Sequence, residues 1–157
     1  MSPGDSTVLF RALPIRPHLT PEHRRALKNF VRQASSRVGG GSSFTCLVTN
    51  DNQLRRLNRE FLGHDYATDV LSFPALEKNG NLGELAISVE RAQAQAREFG
   101  HSLLDEMQIL ILHGLLHLTG MDHEKDRGEM ARAERKWRRE LGLRSTLIAR
   151  ARQRRQK

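Results

Sequence analysis

Apolar and polar positions recur along this chain in two rhythms, period two in some segments and close to 3.6 in others, and the changes of rhythm mark its elements. "STVLFRAL", from Ser6, reads as a first strand. After "PIRPH" a helix opens at Thr20-Pro21, with the threonine as N-cap and the proline as first helical residue, and runs to about Val38. "GGGS" is a flexible joint, and "SFTCLVT" is a second strand rich in β-branched and aromatic residues. "NDN" caps a helix through "QLRRLNREFL". "DVLSFP", ended by Pro74, and "LGELAIS" are two more strands joined as a hairpin across Asn79-Gly80. Ser88 opens an alanine-rich helix that Gly100 closes. Ser102 and Asp105 predict a capping box for the next helix, which runs to Thr119 with Gly120 as its C-cap. A last amphipathic helix spans roughly Lys125 to Leu141. Strands toward the front and helices gathered at the back predict an α+β fold with four strands and no internal repeat.

A length of 157 residues predicts one domain with its own core. Only 5% of residues are aromatic, which argues against an aromatic platform for stacking bases. The single cysteine, Cys46, lies in the apolar run "FTCLV" and reads as a small buried thiol. No internal disulfide is possible, no disulfide-linked partner is expected, and a reducing cytoplasm fits. The first ten residues lack a signal-peptide pattern, and no apolar run approaches the roughly 18 residues of a membrane span, so neither export nor a membrane partner is expected. The net charge of +8 has a location. Residues 1–123 balance to zero, the excess lies wholly in 124–157, and no acidic residue follows Leu141. The chain therefore divides into a domain over 1–142 and a basic C-terminal tail over 143–157, a tail able to displace counterions from a polyphosphate backbone.

"LLDEMQILILHGLLHLTG" is apolar nearly all round, which predicts a helix enclosed by the rest of the domain. His113 and His117, four apart, differ by about 40° around the axis and about 6 Å along it, so they stack on one face. On a continuing helix His123 would stand about 80° from His113 and most of three turns further along. Gly120 lets the chain reverse, because glycine tolerates the left-handed conformation that ends a helix. Three imidazoles brought together in this way form a facial set for Zn²⁺, one per chain, with the fourth tetrahedral corner open. Cobalt or nickel suit the same nitrogens.

The spacing matches the metzincin pattern His-Glu-x-x-His-x-x-Gly-x-x-His at His113, His117, Gly120 and His123. Where that pattern places its general base, this chain has Gly114, which disfavours peptide hydrolysis by that mechanism. An interior glycine beside a ligand predicts close approach of a neighbouring strand or of substrate. Three neutral histidines leave the ion its double charge, so a metal-bound water could serve as nucleophile without a side-chain one. Asp122, beside the third histidine, and Glu84, in "LGELAIS", are the candidate carboxylates for orienting an imidazole or accepting a proton.

"HGLLHLTGMDH", together with "LNREFLGHDYATDVLSFP" and "LGELAIS", resembles the YbeY family of bacterial metal-dependent endoribonucleases, over roughly Thr45 to Gly142. The resemblance implies an α+β fold with a central mixed sheet and a zinc ion on His113, His117 and His123. It also implies single-stranded RNA as substrate, in ribosomal RNA processing and ribosome quality control on the small ribosomal subunit, notably at the 3′ end of its RNA. One position departs. Family members commonly read Tyr-Arg-Gly-Lys-Asp where this chain reads Phe61-Leu62-Gly63-His64-Asp65, so a leucine replaces an arginine associated with activity. Arg59, one helical turn earlier, is the favoured substitute for phosphate contact, with Arg55, Arg56 and His64 as further candidates. The alternative is a ribosome-associated RNA-binding factor whose zinc is structural, and a protein side chain on the fourth corner would mark it.

Overall fold

The computed structural model describes residues 6–66, 68–77, 79–144 and 146–149. Its first strand, β1 (Thr7–Phe10), is shorter than the apolar run that predicted it. Helix α1 (Pro21–Arg37) starts where Thr20 Oγ1 accepts the His23 N–H and His23 Nδ1 accepts the Thr20 N–H, a two-armed capping box with histidine in the place usual for glutamate. Strand β2 (Ser43–Thr49) follows, then α2 (Asp51–Leu62), capped by Asn50 and closed by Gly63 at φ 76°. Strands β3 (Val70–Pro74) and β4 (Asn81–Ser88) form the expected hairpin, with Val70 opposite Ile87 and Pro74 opposite Gly83. The sheet order is β1-β2-β4-β3, parallel for the first two pairings and antiparallel for the last, so the fold is α+β with a mixed four-stranded sheet.

Alternation along the strands divides the sheet into two faces. Leu85 and Ile87 point toward α4 (Leu103–Leu118) and join the main core with Leu27, Phe30 and Val31 of α1 and Val89 and Ala92 of α3 (Val89–Phe99). On the other face Leu71 and Ala86 meet Leu54 of α2 in a smaller cluster. Helix α4 is buried along nearly its whole length, as its sequence predicts. Cys46 lies in the main core, where burial pushes its thiol up to about 12, and it acts as a packing residue.

Two helix starts and one boundary differ from the sequence reading. At Ser102 the hydroxyl accepts the Asp105 N–H, but the Asp105 carboxylate turns to Arg144 at 3.7 Å, so one arm of the expected box is made among the described residues. Helix α5 is Glu129–Leu141 and does not begin at Lys125. Residues 123–128 are turn and bend, because Asp122 and Asp126 hold the Glu124, Gly128 and Met130 backbone N–H groups with their side chains. Those two backbone bonds at Asp126 also hold its carboxyl below the usual range. The expected tail from 143 begins inside packed structure: Leu143 and Ile148 are buried in the main core, since their apolar side chains gain more there than the basic composition around them suggests. Residues 150–157, which carry most of the predicted basic tail, lie outside the described residues.

Candidate metal centre

Helix α4 ends at Leu118, one residue past its second histidine. Thr119 is the C-cap, one residue before the predicted Gly120, and Gly120 takes φ 103°. The Gly120 N–H donates to the His117 carbonyl and the Met121 N–H to the Leu116 carbonyl, the paired bonds of a Schellman turn. The chain reverses there and returns His123 to the helix end. Ring centroids lie 4.8 Å apart for His113 and His117, 5.3 Å for His113 and His123, and 5.5 Å for His117 and His123, and one ligand atom from each ring falls within 4.8 Å of the others.

Hydrogen bonds on the far sides of the rings decide which nitrogens are free. The His117 Nδ1 lies 2.9 Å from the Met121 carbonyl, which can only accept, so Nδ1 carries the proton and Nε2 keeps its lone pair. The His113 Nδ1 faces the buried carboxylate of Glu134 on α5, which fixes the same tautomer. Two Nε2 lone pairs therefore face one another at 3.2 Å. Left alone they repel; a cation between them removes the conflict. Zinc–imidazole bonds of about 2.0–2.1 Å imply a ligand–ligand edge of about 3.3 Å in a tetrahedron, close to this separation. The His123 Nδ1 is buried without a hydrogen-bond partner. The three residues thus fit a metal ion. Among the described residues no fourth histidine, cysteine or carboxylate joins the group. Burial, followed by the neighbouring His113, pushes the His117 pKa down, so this imidazole stays neutral and able to ligate near pH 7.

The cluster opens into a cleft of about 720 Å³ whose wall includes Leu62, Thr68, Ser72, Asp122 and Leu147. Gly114 explains itself here. A Cβ on it would stand 2.8 Å from Leu85 Cδ2 and 3.2 Å from Val70 Cγ2, and its carbonyl accepts the Ser72 hydroxyl at 3.2 Å. It is the neighbouring strands, β4 and β3, that approach the helix.

The other candidates divide. Asp122 lines the cleft, with one oxygen capping the Glu124 N–H and the other 4.0 Å from Lys125 Nζ. Glu84 pairs in register with Phe73 and lies with Leu57 and Phe61 on the α2 face of the sheet, opposite the histidines, so it is not brought to the site. Arg55 pairs with Asp65 at 2.8 Å, holding that carboxyl below its usual range; Arg59 stands 3.9 Å from the same carboxylate, and Arg56 3.9 Å from Glu60. His64 packs its ring on Tyr66 at 5.5 Å. None of these four lines the cleft, whereas Leu62 does. The sequence reading missed Glu134. Its signal was present: Met130, Glu134, Trp137 and Leu141 recur at helical spacing, so this carboxylate stands on the apolar stripe of α5.

Fold and site define the class: an α+β domain whose mixed sheet supports a cluster of three histidines that fits a metal ion and opens to a cleft. Residues 17–142 match the family described as endoribonuclease YbeY, and this chain belongs to that family. An endoribonuclease YbeY of Solibacter usitatus is 52% identical over 149 residues, covering 95% of this chain and 97% of the relative, and one of Koribacter versatilis is 46% identical over 136 residues, covering 87% and 89%. The solution structure of a Thermotoga maritima protein is similar at a TM-score of 0.53 and 26% identity, covering 83% of this chain and 85% of that one.

Proposed function

We propose that this protein is a zinc-dependent endoribonuclease that cuts single-stranded RNA in the cytoplasm, in maturation of the 3′ end of small-subunit ribosomal RNA, with the small ribosomal subunit as its partner. The observation that carries the reading is the pair of fixed Nε2 lone pairs facing one another beside His123. His113, His117 and His123 would hold the ion, and no helix among the described residues is long and apolar enough to cross a membrane. Bound there, zinc supplies a double charge that acidifies a coordinated water and polarises a phosphoryl oxygen. Met121 and Glu134 hold the rings of His117 and His113 in one tautomer. Asp122, which lines the cleft, would be the carboxylate that accepts a proton there, a role for which Glu84 faces the wrong side of the sheet. Leu62, which lines the cleft, offers an apolar side chain where an arginine would offer charge to a phosphate. Arg59, with Arg55, Arg56 and His64, would hold the backbone of RNA entering past the end of α2, an attraction that weakens as salt rises.

The test is a metal-replete assay on defined ribosomal RNA precursors. Cutting of unpaired RNA by the wild type and its loss in His117→Ala support the reading; equal cutting by that variant overturns it and points to a contaminating nuclease. Leu62→Arg is expected to raise the rate. Tight RNA binding with no cutting by metal-replete protein would return the reading to an RNA-binding factor with a structural zinc.

A further inference from the structure

One buried carboxylate joins a metal ligand to the C-terminal segment of the described chain. Glu134 is 1% exposed, and its two oxygens have different partners. Oε2 faces His113 Nδ1, and Oε1 accepts the backbone N–H of Ile148 at 3.2 Å. The segment that supplies this N–H is itself seated: Thr146 and Ile148 are buried, the Ala149 N–H donates to Thr146 Oγ1, and Leu147 between them lines the metal cleft. Neither Glu134 nor this segment belongs to the histidine motif.

A carboxylate out of water must have its charge satisfied by hydrogen bonds. If the Ile148 N–H withdraws, Oε1 loses this donor, and the carboxylate is less firmly held against rotation toward another. The same rotation takes Oε2 from His113, and with it the bond that fixes which imidazole nitrogen carries the proton. We infer that Glu134 is a positioning residue for His113 and that the Thr146–Ala149 segment holds it in place, so that seating of this segment and metal binding are coupled. Coupling between two binding events is reciprocal: whatever factor the seated segment adds to metal affinity, bound metal adds to the seating of the segment. The inference rests on the metal-site reading but not on the identity of the substrate.

Full-length variants loaded with cobalt(II) test it, with affinity measured by chelator competition and ligand geometry by the visible d–d absorption. Ile148→Pro removes the one N–H, Ile148→Ala keeps it and removes the side chain, and Glu134→Gln leaves a single acceptor for two donors. Loss of a partner behind a metal ligand is expected to weaken binding about 10- to 100-fold. Ile148→Pro and Glu134→Gln should show that loss with an altered d–d spectrum, while Ile148→Ala keeps the wild-type spectrum. In the wild type, adding metal should slow hydrogen exchange of the Ile148 amide. Wild-type affinity and spectrum in Ile148→Pro would overturn the coupling, as would an Ile148→Ala loss equal to that of the proline variant, which would show packing alone at work. Should the proline variant fail to fold, wild-type exchange decides: a rate unchanged by metal overturns the proposal. Wild-type protein that binds no cobalt would overturn the metal-site reading itself, a result distinct from any difference among the variants.

Discussion

Two polar clusters, the histidines at the end of α4 that open into the cleft and the arginines of α2 that do not line it, are organised in opposite ways. The imidazoles of His113 and His117 sit at a buried helix end with their outer nitrogens locked by Glu134 and Met121, so their remaining lone pairs have one direction left. The guanidinium groups are about half exposed and meet Asp65 and Glu60 in water, where ion pairs contribute little and side chains remain free to leave for another anion. Burial therefore turns a set of ligands into a site. Exposure leaves a set of charges as an adaptable surface.

The contrast can be broken from either side. His113→Ala removes a ligand and strands Glu134, so we expect metal binding to fall by more than about 100-fold and RNA cleavage with it, read by metal analysis and a cleavage assay. Retention of both would remove the distinction between the clusters. Gly114→Ala should crowd Leu85 and Val70. Overpacking of about 1–3 kcal/mol, offset by about 1 kcal/mol of helix propensity, predicts a net loss near 1 kcal/mol in denaturant unfolding.

A smaller effect should follow pH in metal-free protein. The folded pKa of His117 is lowered, so between that value and the unfolded one of about 6.5 the unfolded chain binds more protons. Stability should then rise with pH through this window and level off above it, and His117→Ala should flatten the rise in urea melts taken across it. Least of all, Arg55→Ala should leave the melting temperature unchanged. It should raise KM for RNA modestly, with a shallower salt dependence and unchanged kcat. A large loss of kcat would place Arg55 in the chemistry and sharpen the comparison against us.

Much of this was legible because its causes are local. The N-caps at Thr20, Asn50, Ser88 and Ser102 and the reversal at Gly120 depend on residues three or four apart, and the structure has each of them. The start of α5 was misread because Asp122 and Asp126 take up backbone N–H groups that an amphipathic pattern assigns to a helix. Glu84 failed as a site candidate through strand parity, since its neighbour Leu85 faces α4 and it cannot.

By itself the sequence determined that three imidazoles would meet, because a helical interval of four and a glycine-permitted reversal are properties of adjacent residues. Only the tertiary structure decided how those imidazoles are held. The Glu134 carboxylate is 21 residues from His113 and the Ile148 N–H a further 14, and contacts at such separations depend on how helices pack across a shared core, which no local pattern encodes.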